Sequence, residues 1–190
     1  LSNAGYPNGD DFPVLTLQLN DGNSTILSVA EAVQKMITNN LGITIELSVL
    51  PRSNHYEQVE AGKVLFWRDG WIADYADPEN FLKLFHGKLV PDDSVKSSYL
   101  NSVRFKDSEY DQYFEASQRG VDGRERMELA RSADQILLEK AAVVPLYYEN
   151  WIWLIQNDVR NIEASGVGVL DLGEVYFSTA GNLTAQSDNS

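Results

Sequence analysis

Val64-Leu65-Phe66-Trp67 runs without a break into Arg68-Asp69-Gly70-Trp71-Ile72-Ala73-Asp74-Tyr75-Ala76-Asp77-Pro78-Glu79-Asn80-Phe81. Four consecutive apolar residues read as a strand covered on both faces, because a half-buried strand would alternate. Upstream, Val14-Leu15-Thr16-Leu17-Gln18-Leu19 is a second strand-like run, and Ile43-Thr44-Ile45-Glu46-Leu47-Ser48-Val49 alternates as a third. Between those two, Ile26, Val29, Ala30, Val33, Met36, Ile37 and Leu41 fall at helical spacing. Asp21-Gly22-Asn23 precedes them as a turn, with Ser24 as the expected cap and Gly42 as the stop. A short helix is expected over residues 54–61, ending at Gly62. The order is β-α-β-α-β, which predicts an α/β sheet flanked by helices.

Downstream the pattern turns mostly helical. Asp107 is an expected N-cap for a helix carrying Tyr110, Tyr113, Phe114 and Ser117. Asp122 and Glu125 have capping-box spacing, with Asp in place of Ser or Thr. They open a helix with Met127, Ala130, Ala133, Ile136 and Leu137 on its apolar face. Val143-Val144-Pro145-Leu146-Tyr147-Tyr148 reads as a return strand, which residues 151–155 extend or follow with another. No repeat, low-complexity tract or linker interrupts the chain, so one domain over residues 13–177 is expected. Residues 1–12 form a leading loop whose Ser2-Asn3-Ala4 resembles a cleaved-tag remnant, and residues 178–190 read as a polar tail.

Composition removes several function classes. With 28 acidic residues against 15 basic, the net charge of -13 leaves no basic face for DNA or RNA and argues against an anionic membrane surface. A cationic or zwitterionic small ligand suits that balance better. The absence of cysteine excludes disulfides, thiolate metal sites and cysteine nucleophiles. His55 and His86 lack the carboxylate spacing of a zinc protease, and both read as exposed loop residues. There is no Gly-rich phosphate loop and no Gly-x-Ser-x-Gly elbow. No metal or cofactor is implied. Acidic residues are plentiful enough that a carboxylate-pair hydrolase stays open as an alternative, although nothing selects one pair. An aromatic share of 11% provides either a core or a stacking surface.

The segment after Trp67 carries the most information, because ligands of α/β sheets sit beyond the C-terminal ends of strands. Asp77-Pro78 suits an N-cap followed by a first helical position, where proline needs no N–H, and Glu79 favours the positive helix start. Asp74 has no such evident local duty beyond an Asx turn. Trp71 fits either core packing or a ligand wall, and Arg68 fits a surface pair with Asp69 or Asp74.

Gly70-Trp71-x-Ala73-Asp74-Tyr75-x-Asp77-Pro78-x-x-Phe81 resembles the signature segment of the extracellular solute-binding proteins that serve peptide and nickel ABC importers. Three other stretches are similar to that family in the family's order. Gly5-Tyr6-Pro7-Asn8-Gly9 with Phe12-Pro13-x-Leu15-Thr16-Leu17 looks like the approach to its second lobe. Asp107-Ser108-Glu109-Tyr110-Asp111 looks like a helix start, and residues 126–148 look like its last long helix and return strand. The resemblance covers roughly residues 5–155 and implies one lobe of a type II periplasmic-binding-protein-like fold, a central mixed sheet flanked by helices. It implies a binding protein rather than an enzyme, capturing oligo- or dipeptides between two lobes for a membrane permease. The first lobe would lie outside this chain, and residues 157–177 would run back towards it, with 161–168 loosely held. The parent would be exported, periplasmic or lipid-anchored at the outer face of the cell membrane. By the same resemblance Asp74 would hold the ligand ammonium, Trp71 would wall the first side chain, and Arg68 would receive a short peptide's carboxylate. Nickel chelate, haem or oligosaccharide are the alternative ligands within the family.

Overall fold

The computed structural model describes residues 1–120, 122–150, 152–165 and 168–178. It divides into two compact units: Leu1–Trp71 with Pro78–Val143, and Ile72–Asp77 with the described residues from Val144 onward. The span of residues 13–177 expected as one domain includes residues of both units.

In the first unit, strand β1 (Leu15–Asn20) pairs in parallel with β2 (Ile45–Leu50), Leu17 opposite Leu47 and Gln18 opposite Ser48. The crossover is helix α1 (Ser24–Leu41). Its cap is Asn23, whose Oδ1 accepts from the Ile26 amide at 3.2 Å, rather than the expected Ser24. The helix ends at Gly42, where φ is 71° and a Cβ would lie 2.0 Å from the Asn8 carbonyl oxygen. Leu17, Leu19, Ala30, Ile43 and Ile45 make the core between sheet and helix, backed by Ile26, Ile37 and Phe66.

Alternation along β1 sends Gln18 and Asn20 to the opposite face, where both are still buried. There Gln18 meets helix α2 (Arg52–Glu60), which starts two residues earlier than expected. The run at residues 64–67 does not form the expected doubly covered strand. It makes a single parallel bridge, Gln18 opposite Trp67, and Leu65 is 94% exposed. An apolar run specifies strand propensity, but a ladder needs a facing backbone over several residues, and here one residue of β1 supplies it.

Helices α3 (Glu79–Leu82), α4 (Ser108–Arg119) and α5 (Gly123–Glu139) build a second core around Leu82, Tyr110, Phe114, Ala133, Ile136 and Leu137. Tyr110 and Phe114 stack at 6.2 Å, and the Tyr110 hydroxyl donates to the Leu82 carbonyl, so its burial leaves no unpaired oxygen. Burial pushes the Tyr110 phenol up, which keeps it neutral. Met127 departs from the expected apolar face and is 44% exposed, one turn before the buried stretch begins at Ala130. Asp122 caps α5 by accepting from Arg124 and Glu125 amides.

Asp107 caps α4, accepting from the Glu109 and Tyr110 amides at 3.0 Å each. The Tyr110 amide, then that of Glu109, and then Lys140 hold its carboxyl below the usual carboxylate range. A lowered native value means this stabilisation is present above the unfolded carboxylate value and is lost as pH falls through the native one. Asp107→Ala should lower stability by about 1 kcal/mol at neutral pH. Thermal melts should show the gap from wild type closing in acid, and a gap independent of pH would contradict the cap's role.

Both histidines depart from the exposed-loop expectation. His55 is fully buried on α2. His86 is half-buried against the Phe114 ring, 4.9 Å between centroids, with Nε2 3.2 Å from Glu115 Oε1. A Lys88 bond of 2.6 Å, and then His86, hold the Glu115 carboxyl below the usual range.

In the second unit, β3 (Val159–Arg160) pairs antiparallel with β6 (Tyr176–Phe177), and β4 (Glu163–Ala164) with β5 (Leu170–Asp171). The segment expected to be loosely held thus contains a strand at 163–164. The expected return strand at 143–148 is not formed, nor is a strand at 152–155; Tyr148 is 91% and Leu154 97% exposed. Their β-rich composition is real, but among the described residues no strand pairs with them. Among the described residues the named strands form two-stranded sheets. Trp151, residues 166–167 and the tail from 179 lie outside the described residues.

Candidate functional site

The residues leading into the candidate segment are held by the end of β1. The Gln18 amide donates to the Phe66 carbonyl at 3.0 Å, and the Gln18 carbonyl accepts from the Arg68 amide at 2.9 Å. Both bonds lie on the edge away from β2, so β1 is the inner strand here. Arg68 is half-buried; its Nη1 lies 3.5 Å from Asn20 Oδ1, and its guanidinium covers Gly70, where a Cβ would sit 3.2 Å from Nη2. A Cβ there would require the guanidinium to shift by a few tenths of an ångström.

Asp69 Oδ1 accepts from the Gly70 amide at 2.7 Å and from the Tyr56 hydroxyl at 3.1 Å, tying the segment to α2. Trp71 is 36% exposed, and its indole N–H donates to Asn80 Oδ1 at 2.7 Å. Asn80 itself is fully buried. The indole is therefore oriented by a polar anchor while part of its face stays open, which suits a wall better than a core residue.

These residues belong to the first unit; Asp74 and Asp77 belong to the second. Asp74 is exposed within a run of bends at residues 74–77, where the Asp77 amide donates to the Tyr75 carbonyl at 3.0 Å. Ile72 and Tyr75 are exposed as well, 66% and 44%. Pro78 stands at the N-cap of α3, one position beyond the Asp77 cap expected from sequence. Its dihedrals are already helical (φ -55°, ψ -28°), and its carbonyl accepts from Phe81 and Leu82. The restricted φ of proline starts the helix, so the boundary moves by one residue.

Sequence reasoning missed Gln18, His55, Tyr56 and Asn80. Gln18 had a visible signal: it is polar at an inner position of an apolar strand. The other three lie on helices whose local pattern does not mark them. An open groove of about 570 Å³ lies elsewhere, between α1 and the start of β2, lined by Gln34, Lys35 and Thr38 among others; neither Arg68 nor Trp71 lines it. Among the described residues no group of three or more His, Asp or Glu could hold a metal ion, and no helix is long and apolar enough to cross a membrane.

Residues 1–90 match the family model of bacterial extracellular solute-binding proteins, family 5 (middle part). The oligopeptide-binding protein OppA of Bacillus subtilis is 27% identical over 180 residues, 95% of this chain and 30% of that protein. Among solved structures, the periplasmic oligopeptide-binding protein OppAIV of Borrelia burgdorferi is 32% identical with a TM-score of 0.62, over 74% of this chain and 26% of that one. The periplasmic binding protein DppA of Helicobacter pylori, solved with the peptide STSA, is 27% identical with a TM-score of 0.64, over 77% of this chain and 27% of that one. By sequence and by fold the chain is similar to the family 5 extracellular solute-binding proteins, with the α/β architecture of part of a type II periplasmic-binding-protein fold. These relatives are binding proteins, and the chain spans about 30% of the length of the first of them.

Proposed function

We propose that this chain is the ligand-holding part of the substrate-binding component of an ABC importer, taking oligo- or dipeptides. It would act with a first lobe beyond this chain and deliver the ligand to membrane permease subunits. The observation that carries this reading is the stretch from Arg68 to Trp71: it is anchored at Gln18, Tyr56 and Asn80, yet leaves part of the Trp71 face exposed. An anchored backbone presenting aromatic area and, at Arg68, a cation suits a ligand with an apolar side chain and a carboxylate. The names of the relatives, oligopeptide- and dipeptide-binding proteins, support the same ligand class.

In this reading Asp74 neutralises the peptide ammonium, which closure strips of water and which then requires a charged partner. Trp71 lies along the first side chain, contributing area at low entropic cost. Arg68 receives the carboxylate of a short peptide. The protein binds without turning ligand over, in the periplasm or, lipid-anchored, at the outer face of the membrane.

The test is mass spectrometry of whatever co-purifies with the complete two-lobed protein, followed by calorimetry with trialanine. Peptides in the bound fraction and saturable trialanine binding are expected. A nickel chelate, haem or oligosaccharide in their place, or turnover of a glycoside or peptide panel, would overturn the reading. The 190-residue chain alone should bind trialanine weakly or not at all, since half of the enclosing surface is missing; submicromolar affinity would contradict it.

A further inference from the structure

Gln18 and Asn20 are the two polar residues among the last four of β1, and Gln18 is 7% exposed. Its backbone holds Phe66 and Arg68, and its side-chain amide nitrogen lies 3.1 Å from His55 Nδ1. His55 is 0% exposed, and its Nε2 has no hydrogen-bond partner. The next residue along α2, Tyr56, packs edge-on against the imidazole at 5.1 Å and reaches Asp69 with its hydroxyl. Strand, helix and segment therefore meet at one buried titratable ring.

We propose that Gln18, His55 and Tyr56 form a latch that positions residues 66–70, closed while His55 is neutral and loosened when it is protonated. A neutral imidazole has one donor and one acceptor, and the Gln18 amide satisfies one nitrogen. The Gln18 amide nitrogen donates, so in the neutral ring Nδ1 accepts and Nε2 already carries the proton; the imidazolium gains an N–H at Nδ1 that faces this donor, together with a buried charge. The charged groups facing the ring are Asp69 and Arg68 of the segment, of opposite sign; β1 contributes only the neutral Gln18. On its own helix, Arg52 lies 5.7 Å over the Tyr56 ring.

Burial, outweighing the pull of Asp69 and of the Arg68 backbone, holds His55 below its ordinary value of 6.5. The unfolded or unlatched ring therefore takes up a proton first. The closed latch has its full stability above 6.5 and loses it as pH falls towards the lowered native value. The consequence for ligand binding rests on the reading of this segment as ligand-holding: acid would loosen Arg68 and Trp71 together.

The experiment is NMR on the 190-residue chain between neutral and mildly acidic pH. Amide exchange at Arg68 and Gly70, corrected for intrinsic rates, is compared with the β1–β2 ladder while the His55 ring is followed directly. Protection at both amides should fall about tenfold relative to the ladder as pH drops from 6.5 to the midpoint of the His55 titration, and level off below it. His55→Asn keeps an amide towards Gln18 and cannot ionise, so it should retain protection at neutral pH and show a flat profile. The same acid step in His55→Asn, or a ring that titrates without change at Arg68 and Gly70, would overturn the latch. If the variant does not fold, the wild-type comparison of ring and amides decides alone. Trialanine affinity of the complete protein separates the two proposals: an amide response without peptide binding at any pH supports the latch and removes the peptide reading.

Discussion

Asp74→Ala in the complete two-lobed protein is expected to cost roughly 2–5 kcal/mol of peptide affinity, the range for removing one partner of a desolvated charge pair. In dissociation constants that is about thirtyfold to a few thousandfold. The size of the effect comes from the ligand's side of the contact. An ammonium inside a closed cleft has lost its hydration, and without a carboxylate it is left charged and unpaired. N-acetylation of trialanine removes the same charge, so it should weaken wild-type binding strongly and the Asp74→Ala protein hardly further. Calorimetry on the four combinations gives the coupling energy directly. Unchanged affinity in the variant, or losses that simply add, would assign the ammonium to another group.

Leu19→Ala should destabilise the chain by roughly 2–5 kcal/mol, the range for truncating a buried leucine without collapse of its surroundings. Leu19 is 0% exposed on the inner strand, packed with Leu17, Ala30, Ile43 and Ile45. The flanking β2 and α1 cannot close the gap independently, because the β1–β2 register from Leu15 opposite Ile45 to Asn20 opposite Leu50 fixes their separation. Urea denaturation should show a lower midpoint with an unchanged slope, and the melting temperature should drop by about 5–15 °C. A loss under 1 kcal/mol would mean that the core relaxes more freely than its packing indicates. The neighbouring Gln18 bonds to Phe66 and Arg68 depend on the same strand, so a loosened β1 would also disturb the candidate segment.

Local chemistry made much of the fold legible. Asp107 and Asp122 cap α4 and α5 as their spacing implies, since a cap needs only its own side chain and amides two or three residues on. Gly42 ends α1 for an equally local reason, a backbone conformation with positive φ. The apolar runs at 64–67 and 143–148 misled because strand formation is a property of pairs. One run found a single bridging residue, and the other forms no strand among the described residues. Met127 kept helical spacing but lies beyond the end of the packed face.

From the chain alone came the βαβ order, the helix caps and the motif from Gly70 to Phe81 that led to the family, because each is written in consecutive or near-consecutive residues. Tertiary structure decided which polar side chains are buried and whom they meet. Gln18 reaches His55 across 37 positions, and Tyr56 reaches Asp69 across 13. Such partners are selected by packing helix on sheet, where a buried polar atom must be matched by whatever the neighbouring element presents. No periodicity in the chain encodes that match.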